Sequence, residues 1–445
     1  MPSLCVRIHG VWYNLEHFAA VHPGGTRNLL LASGRDATAM FESHHTLMNR
    51  VYIDTVLARH RMANQDMQTL EEAAGIDTAS DDFDWTETPF SREVKSEVRT
   101  YFQQLARSRG ISVRHAIKAT PPRWWMWGTL GVLYIAAVSQ LIKGTLWGLF
   151  AAPVMAFIFG FSTFHETTHF ALSPWPRLDQ FLSYFFPFCS SPLSWQIQHV
   201  VGHHAYTNLS HRDPDVLHAP HVWRYHPDTP WEKAYLWQAN VCNVITAWAV
   251  ALVAGLTYEN EKRMHRTRMY NEVVPLPPLS AARWSAHLAT RIMTFVTMLG
   301  WPFALLHRHS LWYRLAFAVV PWLMVSLLFM ANSQLTHLGH DAIRARHRGW
   351  YEHQVLTSQN FGSPTLFYLI LSGGLCNQIE HHLFPTVNMC HYAAIQPIVQ
   401  RLCRKYGIRY TNFPGYREAF ASYFRHNSEM AFGSVQSETI EGRLF

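Results

Sequence analysis

The 445-residue chain has few cysteines and little charge. Its six cysteines (Cys5, Cys189, Cys242, Cys376, Cys390 and Cys403) are scattered, with no CxxC pair. That spacing excludes a disulfide scaffold and predicts reduced thiols. Charged residues make up only 15% of the chain, whereas 49% is hydrophobic. Such a composition excludes intrinsic disorder. There is no fixed-period repeat, no low-complexity tract and no basic block suited to nucleic acid. The net charge of +7 sits on Lys and Arg that flank apolar segments, so membrane lipid is the expected partner and nucleic acid is not. No secretory signal peptide is expected, because Arg7, His9 and Asn14 interrupt the first apolar stretch. The N-terminus is therefore expected in the cytosol.

Long uncharged runs are what the chain does have. Trp124 to Ile142 and Gly144 to Phe164 each approach the ~20 residues that span a bilayer, which predicts a transmembrane hairpin. Runs at 236–256, 292–306 and 315–331 are more broken by polar residues or proline. The 258–286 loop carries Lys262, Arg263, Arg266, Arg268 and Arg283, which places it on the cytosolic side. A crossing at 236–256 would put that loop opposite residues 165–235. The run is therefore expected to be interfacial or buried, and 292–306 with 315–331 to form a second hairpin. Four spans result, at about 124–142, 144–164, 292–306 and 315–331. Ahead of them, residues 1–60 read as a small unit. Residues 61–90 read as an acidic linker, with eight Asp or Glu against Arg61, and 91–445 as the membrane domain. Val94, Val98, Phe102 and Leu105 recur at helical spacing in a basic segment expected to lie on the membrane surface.

Histidine is abundant, with 28 residues against 30 Asp and Glu together. One cluster reads His165-Glu166-Thr167-Thr168-His169. On a helix, i and i+4 share a face, so both imidazoles can meet one metal. By itself this is the HExxH pattern of zinc proteases, in which the Glu is a general base, so a membrane metalloprotease is weighed. A second cluster holds His199, His203 and His204, and a third holds Gln378, His381 and His382. A catalytic zinc takes three protein ligands, and eight are too many for one tetrahedral ion. Two metals fit better, with neighbouring histidines about 100 degrees apart on a helix and able to reach different ions. Ligand type alone does not name the metal.

Near the start stand His22-Pro23-Gly24-Gly25 and, later, Phe41-Glu42-Ser43-His44-His45. Two histidines so spaced can hold a haem iron from both faces. The stretch Val6 to His45 resembles cytochrome b5, which implies haem b with axial ligands at His22 and His45; His44 is the competing choice for the second. Cytochrome b5 has a strand and helix before the segment that resembles Leu4–Gly10. Either the haem fold here has a trimmed start, or the sequence begins inside the domain.

A haem beside a histidine cage is a redox pairing. A hydrolase needs no electrons, so iron becomes the favoured metal and the protease a minor alternative. HxxxH, HxxxHH and QxxHH with an N-terminal cytochrome b5 resemble the front-end fatty acyl desaturases, and Gln378 is the most specific mark. The stretches Gln198 to Asn208, Asp213 to Val216 and Gly373 to Pro385 are most similar to delta-5 or delta-4 members. Glu166 departs from the family's usual Asp.

The resemblance implies a mostly α, four-span membrane fold with a cytosolic histidine-cage cap, preceded by a small α+β cytochrome b5-like domain. It implies two irons held by His165, His169, His199, His203, His204, Gln378, His381 and His382. A ninth ligand is expected at His337, with His340 the alternative, and Asn332 is a candidate for holding a metal-bound water. The implied reaction uses O2 and electrons from a cytochrome b5 reductase at the endoplasmic reticulum. It puts a cis double bond between an existing one and the carboxyl end of a fatty acyl chain carried on coenzyme A or a phospholipid. Delta-5 is favoured over delta-4 or delta-6. A hydroxylase on the same cage, and a haem electron carrier with vestigial histidine boxes, are the alternatives. Four spans put all three clusters on one face, where five would not.

Overall fold

The computed structural model describes residues 4–63, 82–185, 191–255, 264–277 and 279–433. Most of the expected acidic linker, together with Cys189, Lys262 and Arg263, lies outside them. The N-terminal unit is α+β. Strand Cys5–Ile8 pairs antiparallel with Val11–Asn14, and the turn between them places both His9 and Gly10 at positive φ. That is the geometry of a tight hairpin whose twist matches its strands. Helices Thr26–Ala32, Thr38–His45 and Arg50–Arg59 come next. Val6, Ile8, Leu15, Ala32 and Phe41 form their shared core.

Among the described residues, three helices are long and apolar enough to cross a membrane: Pro121–Ile142, Leu146–Thr168 and Leu311–His337. The first buries only 6% of its apolar window and turns Trp125, Val132 and Ile135 outward. It meets the second through Gly148, where a Cβ would lie 2.2 Å from the Leu141 nitrogen. Only glycine permits that approach. The expected span 292–306 is helical, in the pieces Ala281–Phe295, Val296–Gly300 and Trp301–Leu305, but is not one of the three. The expected 315–331 span grows at both ends into Leu311–His337. Its polar tail Asn332–His337 stays helical because it runs into a buried site rather than into water.

The run at 236–256 forms the helix Val241–Gly255. It buries Val244 and Trp248 while Val241, Ile245 and Val250 stay exposed. Ser326 of the third long helix donates to the Trp248 carbonyl at 2.6 Å.

One expectation is corrected. The helix Pro89–Arg109 does not lay its apolar stripe on a membrane. Phe90, Val94, Val98 and Phe102 are buried in one core with Ile395, Val399 and Leu402 of the helix Tyr392–Lys405. Glu93 pairs with Lys405 and Glu97 with Arg401 along the outer edge. An amphipathic pattern specifies an apolar neighbour, and a second amphipathic helix satisfies it as well as lipid does.

Candidate metal centre

Four separated parts of the chain converge at the cytosol-expected ends of the long helices. His165 stands in the last turn of the helix Ser162–Thr168 and His169 caps it. Upstream, Pro153 sits inside Leu146–Met155, and a π turn comes next at Ala156–Phe161. Proline removes a helix hydrogen bond, and the i→i+5 winding re-registers the turns beyond it. The second cluster is itself on a π segment, Gln196–His203. This winding brings residues five apart together, and the Nε2 atoms of His199 and His204 stand 3.2 Å apart. His337 ends the third long helix, and Gln378–Leu383 carries the last cluster.

All nine expected ligands are buried. Their histidines fall into two groups whose ligand atoms lie within 4.8 Å of one another: His165, His169, His199, His204 and His381; and His203, His337 and His382. The adjacent pairs His203–His204 and His381–His382 each divide between the two groups. Gln378 joins the second, its Nε2 2.9 Å from His337 Nε2. Both ring nitrogens of His169, the Nε2 atoms of His381 and His382, and Gln378 Oε1 are buried without a hydrogen-bond partner among the described residues. Buried polar atoms left unpaired in this number are costly, and together they fit metal ions.

The outer nitrogens are held. His203 Nδ1 lies 2.9 Å from Asp213, His337 Nδ1 is 3.1 Å from the Thr357 carbonyl, and His382 Nδ1 is 2.9 Å from Gln354 Oε1. His381 Nδ1 is 3.0 Å from the Tyr392 hydroxyl. Such partners orient imidazoles toward a metal. Burial, then neighbouring imidazoles, holds His169, His199, His204 and His381 well below the usual imidazole value. Neutral imidazole is the ligating form. His203 differs: burial opposes its charge, but Asp213 and Asp215 push its pKa up to about 9.

His340 and Asn332 fall outside the groups. His340 Nδ1 lies 2.7 Å from Glu429. Asn332 accepts from the Tyr416 hydroxyl at 2.7 Å and donates to the Leu328 carbonyl. Glu166 also turns away from the groups. It accepts from Arg123 and Asn388, both at 2.6 Å, a buried ion pair incompatible with a protease's free general base. Sequence reasoning assigned no role to Asp213, Asp215, Gln354 or Tyr392. Asp215 shares a third group with His199 and His203. Only the Asp213-Pro214-Asp215 turn, ten residues after His203, carried a sequence signal.

In the N-terminal unit, the rings of His22 and His45 are centred 6.2 Å apart. Two imidazoles bound to one iron at ~2 Å per bond have ring centres about 6 Å apart. Nδ1 of His22 and of His45 lie 3.4 and 2.9 Å from the Gly25 and Phe41 carbonyls, so that each Nε2 would be the atom to hold a haem iron. Burial, then the nearby His45, lowers the His22 pKa to about 4, and burial lowers that of His45 to about 4. The pair fits a haem. The His22 ring contact is with His45, while His44 Nδ1 lies 3.0 Å from the Met40 carbonyl.

The family model described as fatty acid desaturase matches residues 143–414, and that of a cytochrome b5-like heme/steroid binding domain matches residues 2–72. An acyl-lipid (8-3)-desaturase of Physcomitrium patens is 27% identical, the match covering 96% of this chain and 88% of that protein. An acyl-lipid (8-3)-desaturase of Mortierella alpina is 25% identical over 95% and 93%. A Delta(5) fatty acid desaturase A of Dictyostelium discoideum is 24% identical over 96% and 90%.

Proposed function

The chain belongs to the fatty acid desaturase family, as an oxidoreductase with an N-terminal cytochrome b5 domain, and from that premise we propose a front-end enzyme. It places a cis double bond between an existing one and the carboxyl end of a polyunsaturated acyl chain, with delta-5 the favoured position. The observation that carries the reading is the pair of adjoining histidine groups with their unpaired buried nitrogens. Relatives named for (8-3) and Delta(5) desaturation support the position.

In this reading His165, His169, His199, His204 and His381 hold one iron, and His203, His337, His382 and Gln378 the other. When bound, the iron pair supplies activation of O2, which leaves as two waters as two electrons and two protons arrive and the acyl chain gives up two hydrogens. The chain's own residues do the positioning. Phe161 stacks on His165 with ring centres 5.5 Å apart, and Trp195 lies 4.5 Å from His199. With Phe329 these rings form an apolar wall that favours methylenes over water at the groups. Which methylene pair stands there decides which bond reacts.

The helical stretch 281–305 supplies the fourth crossing, so that both metal sites face the cytosol at the endoplasmic reticulum. There a cytochrome b5 reductase supplies electrons to His22- and His45-bound haem. The test is expression in yeast with defined polyunsaturated acids and mass spectrometry of acyl-CoA and phospholipid fractions. We expect a product lacking two hydrogens, with its new bond on the carboxyl side. Gain of one oxygen would turn the reading to a hydroxylase. No product with iron sites filled would overturn it.

A further inference from the structure

The N-terminal unit is docked on the helices that carry the histidine groups. Thr26–Ala32 packs on the π segment Gln196–His203, and Thr38–His45 packs on His204–Tyr206. Leu31 shares a buried cluster with Ile197 and Val201, and Met40 packs against it. Ala39 shares another with Ala205, the residue after His204. Arg114 donates to both the Pro23 carbonyl, next to His22, and the Pro174 carbonyl beyond His169.

Two adjacent histidines sit at the end of Thr38–His45. His45 stacks near Phe41 and faces His22. His44 lies on the other side, its Nδ1 3.0 Å from the carbonyl of Met40, the residue that faces Ile197 and Val201. Met40 and His44, four residues apart, share the helix face turned toward the segment Gln196–His203. His44 therefore lies between the two metal sites.

We propose that the N-terminal unit works from this docked position and that His44 couples its haem electronically to the first histidine group. The proposal rests on the haem and iron reading above. In each transfer one electron passes, leaving the haem iron ferric and one cage iron ferrous, with no bond at His44 made or broken. The ferric haem is returned to ferrous by a flavoprotein reductase. His44 is a positioning residue, since it binds neither metal.

The test uses the full chain, loaded with haem and iron, in lipid nanodiscs. His44→Leu should keep the haem absorption band and midpoint potential of the unaltered protein, because His22 and His45 remain. Reoxidation of pre-reduced haem on mixing with O2 and acyl substrate should slow ~10-fold, since the protein sets the cofactor's orientation and electronic contact. In both proteins that rate should be independent of protein concentration. A wild-type rate in His44→Leu, or loss of its haem, overturns the proposal. So does a rate proportional to concentration in the unaltered chain, which would put transfer between molecules. Concentration dependence appearing only in His44→Leu would make His44 a prop for the dock and overturn its coupling role. Failure of the desaturase reading is distinct: the unaltered chain would then form no new double bond.

Discussion

Neighbouring histidines pointing to different places recur at residue scale: His203 and His204, His381 and His382, His44 and His45. Within the cage, what holds each ring matters as much as the ring. Asp213 is buried and accepts from Asn208 and Asp215 backbone nitrogens while facing His203. Asp213→Asn should lower iron per chain or desaturation about 10- to 100-fold, the usual cost of removing such a partner. Iron analysis beside product assay checks it, and unchanged values in both would remove Asp213 from the site. Glu166 gives the opposite expectation. Its carboxylate is occupied by Arg123 and Asn388, so Glu166→Gln should keep turnover per bound iron while lowering the melting temperature. Arg123→Ala, which strands the buried carboxylate, should cost about 3–5 kcal/mol of stability. Loss of turnover in Glu166→Gln with iron and stability intact would instead return the glutamate to the chemistry.

At the scale of elements, spacing pointed to the three histidine clusters, because i, i+3 and i+4 neighbours share an α-helix face, although the second cluster winds as a π segment. It also disclosed the first hairpin, whose two runs carry no charge. What it could not disclose lay in winding and in partners. The π turns at Ala156–Phe161 and Gln196–His203 leave no mark in hydrophobic periodicity. His337 was reachable only by resemblance, since the polar end of a span looks the same whether it enters water or a cage. Gln354 and Thr357 sit in a stretch with no motif at all. The Pro89–Arg109 helix shows the ambiguity best: one stripe, two candidate neighbours. Val98 is fully buried against the cap, so Val98→Asp should collapse thermal stability in detergent, where a lipid-facing helix would only weaken its membrane association. A melting curve of the purified variant decides, and a wild-type midpoint would return the helix to the bilayer surface.

For the whole molecule, the N-terminal unit and the cap are joined at Glu42. Burial raises its pKa, but hydrogen bonds from His9 and Arg50 outweigh that and bring it from 4.5 to about 2. The Tyr351 hydroxyl of the cap donates to it at 3.5 Å. A group depressed on folding stabilises fully above its unfolded value and loses the effect as pH falls through the folded one. At ~1.4 kcal/mol per pH unit the fall corresponds to ~3 kcal/mol. The difference in stability between wild type and Glu42→Gln should therefore be full at pH 7 and shrink between pH 4.5 and 2. A difference that stays constant through that window would show that Glu42 does not act through its charge.

Metal removal acts on the molecule through the same logic of joined segments. His165–His169, His199–His204, His337 and Gln378–His382 meet at the cage, where His169, His204, His381 and His382 keep buried nitrogens without a partner among the described residues. A ligand that binds only the folded state stabilises it by mass action, ~4 kcal/mol at a thousandfold excess over its dissociation constant. Stripping iron with a chelator should lower the melting temperature and raise amide exchange in all four segments together. In Thr26–Ala32 and Thr38–His45, which pack on the second cluster, exchange should rise as well. Loosening confined to one cluster would mean that the four segments are held by packing alone, and the cage would then be a passenger of the fold rather than one of its joints.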